Sequence, residues 1–291
     1  MNILEYENYH EKKSHGSPTF PYTTYLCSIP LDFSSVPLHW HEEMEIIYVK
    51  KGQGMIMVDL DNHPVTAGTL VLILPGQLHA IGQYEDCSME YENIIFHPDI
   101  LLPKKSDDCS RDFFLPLFNN MISLPTLITP ALENYEMLAR CIDEADEICK
   151  TYPRAFQFAI KSQLFSFFYL LFSTCADMEN LPKNKRSLDK MKQIIKYIEC
   201  NYMEKITIAD VAGEIGVSSS HFMKYFKNAM GTSFIEYLNE YRLTMASRLL
   251  LSSDASILAI AEEVGFDNLS YFNRLFKKRF GITPSNYRKS R

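Results

Sequence analysis

The sequence predicts a multidomain α+β chain: a β-rich N-terminal part closing as a sandwich or barrel, then a helical pair, then an all-helical C-terminal domain. Three observations carry this. Short apolar runs punctuated by glycine and proline fill residues 22–96, the period turns helical over 130–175, and the C-terminal third contains an internal helical repeat.

At 291 residues, with 46% hydrophobic and 22% charged side chains, the chain is long enough for two or three separate cores. Its 13% aromatic content excludes disorder as the dominant state. The richest apolar stretch, 164–172, is interrupted by Ser166 and is shorter than the roughly 18–20 residues that span a bilayer. Residues 1–8 lack the basic and apolar regions of a secretory leader. Seven cysteines without a CxxC pair suit a reducing compartment better than a disulfide framework or a zinc ribbon. These features predict a cytoplasmic protein with no membrane partner. The net charge of −7 conceals a split: residues 1–182 carry 11 basic against 25 acidic side chains, and residues 183–291 carry 18 against 11. An acidic module joined to a basic one points the basic half at a polyanion, the alternative being an accidental asymmetry.

In chain order, the β-rich part reads as runs at 45–49, 55–58 and 69–74, separated by turn signals at Gly52 and Gly54, at Asp61-Asn62, and at Pro75-Gly76. Residues 133–150 place apolar side chains at 135, 138, 142, 145 and 148, close to helical spacing. Pro153 suits the start of a second helix through Phe172. That helix is apolar on more than one side, so it must bury against the β part alone or against a partner subunit as well. A polar stretch containing Pro182 reads as a linker, and helices follow it.

The repeat superimposes Ala212 on Ala261 and Gly216 on Gly265, then, after one extra residue, Phe222 on Phe272, Phe226 on Phe276, Gly231 on Gly281 and Tyr237 on Tyr287. Each copy reads as helix, glycine turn, helix, which is the helix-turn-helix pattern, at 207–228 and 256–278. Thr207 with Asp210, and Ser256, are expected N-caps, and Gly216 and Gly265 are expected in the left-handed conformation. With Phe222, Tyr225 and Phe226 buried, the second helix of the first copy exposes Ser219, Ser220, His221, Met223, Lys224 and Lys227. With Phe272, Leu275 and Phe276 buried, the second copy exposes Asn268, Ser270, Tyr271, Asn273, Arg274 and Lys277. Arg274 and Asn273 suit guanine and adenine edges, and the lysines and serines suit phosphates. Any one of them alone would equally be a solvated helix face; the set, repeated at one spacing in a basic domain, is a candidate DNA-reading surface.

The stretch ILAIAEEVGFDNLSYFNRLFKKRFGITPSNYR at 257–288 resembles the signature of the AraC/XylS transcription regulators. The resemblance implies two helix-turn-helix units joined by a long helix, here 234–251, with Pro284 opening a last helix. The first unit departs more from the pattern, with serines at 218–220 and Met223 outward, which leaves its base-specific role less defined. Double-stranded promoter DNA, a small-molecule effector, a homodimer and contact with RNA polymerase follow as implied partners, with an activator as the implied role.

His39, His41, Glu45 and Gly52 read H-x-H-x3-E-x6-G, followed by Gly68, then Pro75-Gly76 and His79. Treated as one strand, 39, 41 and 45 point to one face, the interior of a closed barrel. Two imidazoles and a carboxylate with a fourth ligand from another strand would suit Zn, Fe, Mn or Ni. The spacing resembles the two cupin motifs over residues 20–96, with Leu74 and Gln83 departing from the second. That resemblance implies metal ligation by His39, His41, Glu45 and His79 in cupin enzymes, and a metal-free effector pocket in AraC-type regulators. Three readings stand together: a divalent metal site, an effector pocket without metal, and satisfied core residues. A carbohydrate or related metabolite is the effector class the family resemblance implies. Trp40 and Tyr48 suit sugar stacking but point away from the histidines by strand parity. His10, His15, His63 and His97 form no constellation, and no nucleophilic triad, phosphate loop or dinucleotide fingerprint occurs.

The expected organisation is therefore a cupin-like effector-binding barrel at 1–128, a helical dimerisation segment at 129–176, a linker at 177–187 and a DNA-binding domain at 188–291. The rival is a metal-dependent cupin enzyme fused to a DNA-binding tail; a third reading is a non-specific architectural DNA binder.

Overall fold

The computed structural model describes residues 20–32, 35–103, 105–119, 121–175 and 185–289, and the chain divides into two compact units at Lys185 and Arg186. Most of the expected linker, and His10 and His15, lie outside the described residues.

Among the described residues the first unit holds eight strands: β1 Tyr22–Ile29, β2 Ser35–His39, β3 Met44–Val58, β4 Asp61–Thr66, β5 Leu70–Ile73, β6 His79–Gln83, β7 Met89–Phe96 and β8 Leu127–Ile128. One arm of the sheet runs β1-β7-β3-β5-β8; the other pairs β4 and β6 with the far end of β3, and β2 with β6. All these pairings are antiparallel.

The expected turn at Gly52 and Gly54 is not a chain reversal. β3 runs straight through both glycines and passes from one arm to the other, with a register shift between Val49 and Lys51. Gly52 sits at φ +72°, and a Cβ there would land on the Ser88 carbonyl oxygen. A bulged glycine turns the corner of a sheet where any other residue would be strained and would collide. The two arms therefore face each other, and the strand alternation of β3 gives each face its role. Met44 and Ile46 pack with Leu70, Leu72, Ile94 and Phe96 on one side, while Glu45, Ile47 and Val49 are buried on the other.

Two helices cover the first of those faces: α2 Tyr135–Thr151 and α3 Phe156–Cys175, with a short α1, Leu115–Phe118, before them. Leu138, Ile142 and Ala145 of α2 and Ile160, Leu164, Phe167 and Leu171 of α3 complete that core. The second helix begins three residues later than Pro153 predicts, because Tyr152 at φ +44° and Ala155 at φ +67° break the chain on either side of the proline. Tyr48 lies on the helix side of β3, beneath the Lys50 ammonium at 3.7 Å, so it takes no part in the opposite face. By length and composition α3 would also cross a membrane, which corrects the reading that no stretch is long enough. Six of its apolar residues are buried, while Phe158, Phe165 and Tyr169 stand exposed along one stripe.

The second unit is α4 Lys185–Asn201, α5 Ile208–Glu214, α6 Ser219–Met230, α7 Phe234–Ser252, α8 Ile257–Glu263, α9 Leu269–Phe280 and α10 Pro284–Arg288. The first and last expected caps form as read: Thr207 and Asp210 make a reciprocal capping box, and Ser256 accepts from the Ala259 N–H at 3.0 Å. The repeat is a three-dimensional one. Phe222–Phe226 and Phe272–Phe276 pack at 5.7 and 5.6 Å between ring centres, and Phe226–Tyr237 and Phe276–Tyr287 at 5.6 and 5.4 Å. Gly231 and Gly281 end α6 and α9 in the left-handed conformation, each N–H reaching back to Lys227 and Lys277 respectively.

Replacing Gly52 by alanine is expected to destabilise the first unit by more than about 1 kcal/mol, because φ is positive and the methyl meets backbone. The midpoint of urea unfolding measures it; an unchanged midpoint would contradict the corner geometry.

Candidate nucleic-acid interface and barrel cluster

Each helix-turn-helix unit positions its second helix by burying two phenylalanines and turning the opposite side outward. In α6, Phe222 and Phe226 are fully buried while Ser220, His221, Met223, Lys224 and Lys227 are exposed, and Ser219 is half-buried in the first turn. Tyr225 is half-buried rather than buried, because its hydroxyl donates to the Ser187 carbonyl at 2.6 Å and so ties α6 to α4. In α9, Phe272 and Phe276 are buried, Ser270, Tyr271, Arg274 and Lys277 are exposed, and Asn273 and Leu275 are half-buried.

Two of the α9 side chains have structural engagements that the sequence did not reveal. Asn268 is the N-cap, its Oδ1 accepting from the Tyr271 N–H at 2.8 Å, which fixes the side chain against the first turn of α9. The Tyr271 hydroxyl accepts from the Asn239 amide on α7 at 3.2 Å, and the Arg274 guanidinium lies 5.3 Å from the Tyr271 ring centre. That ring and the bond to α7 brace the arginine that projects from α9. Arg279 is not on the reading face at all: it pairs with the Glu240 carboxylate at 3.0 Å and packs over Phe280.

The barrel cluster forms, but not in the way strand parity predicts. His39 ends β2, His41 lies in the connection, and Glu45 belongs to β3, so residues 39–45 are not one strand. The connection brings them together instead, with His79 arriving from the start of β6 opposite His39. One ligand atom from each of the four lies within 4.8 Å of all the others; His41, Glu45 and His79 are buried and His39 is half-buried. His41 Nε2 and His79 Nε2 stand 3.0 and 3.2 Å from the same Glu45 oxygen, Oε2.

Backbone carbonyls fix the tautomers. His39 Nδ1 lies 2.9 Å from the Pro37 oxygen, His41 Nδ1 3.1 Å from the Glu43 oxygen, and His79 Nδ1 2.9 Å from the Gln77 oxygen. A carbonyl only accepts, so each Nδ1 carries the hydrogen and each neutral ring keeps its lone pair on Nε2. For His41 and His79 that lone pair would face a carboxylate, so each needs a second proton or a shared cation. Loss of solvent, then the His79 and His41 rings, hold His39 well below the ordinary histidine range. Burial opposes charge on His41, but the Glu45 hydrogen bond and charge, with Glu43, outweigh it and raise that ring. Burial opposes ionisation of Glu45 too, yet the His79 charge and the two histidine hydrogen bonds pull its carboxyl well below the usual range. Three lone pairs oriented by second-sphere carbonyls and one anionic oxygen form a donor set that fits a divalent metal; the protonated cluster equally fits an anionic or hydroxylated ligand. Trp40 is half-buried beside it.

Residues 31–145 match the family described as the AraC-like ligand binding domain, and residues 211–290 match a family described as a helix-turn-helix domain. The uncharacterized HTH-type transcriptional regulator YdeC of Bacillus subtilis is 23% identical over 290 residues, which cover 99% of this chain and 98% of the relative. The HTH-type transcriptional activator RhaR of Mannheimia succiniciproducens is 24% identical over 254 residues, 87% of each chain. The regulatory protein PocR of Salmonella typhimurium is 36% identical over 99 residues, 34% of this chain and 33% of its own length.

Arg274→Ala is expected to weaken binding to a selected duplex by about 1–3 kcal/mol and relax base preference at one position, read by competition binding. Lys277→Ala is expected instead to weaken binding to all sequences alike and to lower the slope of log affinity on log salt by about one. Equal effects of the two changes would contradict the division into base and phosphate contacts.

Proposed function

This chain is a transcriptional regulator of the AraC type, and we propose that α6 and α9 enter successive major-groove segments on one face of promoter DNA while the His39–His41–Glu45–His79 cluster receives a small-molecule effector. The observation that carries the DNA half is the paired exposure of the same helix face in both copies, within the half of the chain that carries 18 basic against 11 acidic side chains. On that reading Arg274 and Asn273 meet base edges, and Ser219, Ser220, His221, Lys224, Lys227, Ser270 and Lys277 meet phosphates or flank them. Asn268 and Tyr271 serve chiefly to set α9.

The effector half rests on the cluster's enclosure between the two arms of the sheet and on its unusual concentration of hydrogen-bonding groups. A hydroxyl-bearing metabolite of the carbohydrate class suits those groups, since imidazole and carboxylate can donate and accept to neighbouring hydroxyls. The donor set also favours a divalent metal of the Zn, Fe, Mn or Ni group, held by the three Nε2 atoms and Glu45, which would supply a Lewis-acid point for an effector oxygen. We read a regulator rather than a cupin enzyme because the full-length relatives are regulators. Iron or manganese at one per chain, with turnover of an added substrate, would favour the enzyme.

We further propose a cytoplasmic homodimer, with the α3 stripe of Phe158, Phe165 and Tyr169 covered by the same stripe of a second copy, leaving the DNA-bound regulator to contact RNA polymerase. Phe158→Asp with Tyr169→Asp is then expected to give a monomer by sedimentation equilibrium, and a dimer that persists would refute this interface.

The sensing claim is tested by releasing the small molecules that co-purify with the native protein and titrating that fraction into full-length protein on a selected duplex. A ligand acts only through different affinities for two arrangements of the chain. DNA affinity is expected to change at least about fivefold at saturation, and Glu45→Gln is expected to abolish the change while leaving affinity without the fraction intact. Identical affinities with and without it would remove the sensing model.

A further inference from the structure

The two copies of the repeat share their turn glycine but not what surrounds it. At Gly216, φ +65°, an added Cβ would meet nothing within 4 Å. At Gly265, φ +88°, it would come 2.5 Å from the Tyr202 carbonyl oxygen and 2.8 Å from Arg242 Nη2. Tyr202 belongs to the connection that leads from α4 into α5 of the first helix-turn-helix copy, Arg242 to the long helix α7, and Gly265 to the turn of the second copy. Three segments thus meet at one point, and a charged side chain lies at its centre.

Arg242 is 9% exposed, among the buried positions Leu238, Tyr241, Leu243, Ala246 and Leu250 of α7. Its Nε donates to the Tyr202 carbonyl at 2.7 Å and its Nη2 to the Glu204 carbonyl at 2.6 Å. The guanidinium plane also lies 5.9 Å from the Phe266 ring centre, the residue after Gly265. The Tyr202 ring packs edge-on against Tyr241 at 5.3 Å. A rigid fork with donors at fixed angles satisfies two carbonyls at once, which a lysine ammonium on a flexible stem cannot do in the same geometry. Burial of a guanidinium is costly, and the two carbonyl oxygens that accept its hydrogens offset part of that cost.

We infer that Arg242, clamped between the Tyr202 and Glu204 carbonyls and the Gly265 turn, is a positioning residue that fixes the distance and rotation between α6 and α9, and so selects the spacing of the two DNA segments the protein reads. This rests on the two-groove reading proposed above. α7 carries both helix-turn-helix copies, and the Arg242 contact adds a direct tie between them by joining the turn of the second copy to the entry of the first. Arg279 to Glu240 and Tyr271 to Asn239 hold α9 to α7, and Arg242 reaches from α7 to the carbonyls that lead into the first copy.

The test uses full-length protein and a duplex selected from random sequence, then the same duplex with one base pair inserted or removed between its two contacted segments. One base pair displaces one segment by about 3.4 Å and turns it by about 35° relative to the other. Wild type is expected to lose about tenfold or more in affinity on either change. Arg242→Lys and Arg242→Met are expected to bind the parent duplex more weakly, to bind a single isolated segment within about twofold of wild type, and to flatten the spacing preference to about threefold or less. Conservation of charge in the lysine variant separates a lost fork from a lost cation. If either variant keeps its helical circular dichroism and the full spacing preference of wild type, the inference is overturned. If both variants lose their fold, Arg242 holds the core rather than the spacing, and the inference is overturned as well. A wild type indifferent to spacing overturns it by refuting the two-groove reading itself, an outcome visible before any variant is made.

Discussion

A duplex shows its major groove on one face once per helical turn, about 34 Å apart, and that repeat is the constraint on which the C-terminal half depends. A single helix-turn-helix needs only to present one helix. Two units in one chain must present theirs at a fixed separation and phase, so everything between them is under a geometrical demand that ordinary packing does not impose. The long helix α7 supplies the separation, and the Arg242 contact with the Tyr202 and Glu204 carbonyls supplies the phase. Two ring pairs recur in both copies at nearly the same separation, Phe222–Phe226 with Phe272–Phe276 and Phe226–Tyr237 with Phe276–Tyr287. What differs is how each copy touches its neighbour.

The N-terminal unit solves a different problem with a similar economy of residues. Its sheet must fold back to enclose polar groups, and one bulged glycine in the middle of a fifteen-residue strand accomplishes the change of direction. The outer face of that strand is then free to hold α2 and α3, and the inner face carries Glu45 to the histidines. Buried polar groups survive only when fully partnered. Backbone carbonyls partner three Nδ1 atoms, and His41 and His79 turn their Nε2 atoms to one Glu45 oxygen. On the function proposed above, a ligand or a divalent cation is shared among these groups.

Much of this was legible in the chain. The helix-turn-helix duplication, the capping box at Thr207 and Asp210, the cap at Ser256 and the left-handed Gly216 and Gly265 all follow from local rules that tertiary structure has no reason to override. What was not legible had physical causes. Strand parity across 39–45 fails because a turn intervenes, so the correct convergence arises from a connection rather than from alternation. Gly52 and Gly54 read as a reversal because the same backbone freedom serves a turn and a bulge. α3 starts late because two left-handed residues flank Pro153. The roles of Asn268 and Tyr271 depend on a cap and on a partner thirty-two residues away, which no local pattern reports. Arg242 had one available signal, a charge set among the apolar positions of a long helix.

The account turns on two helices of one chain entering one face of a duplex. Its most direct test is a hydroxyl-radical footprint, with guanine N7 methylation interference, of the full-length protein on a duplex selected from random sequence. The account predicts two major-groove segments, their centres about 10–11 base pairs apart and on the same face. One protected segment only, or uniform weak protection along the duplex, would contradict it.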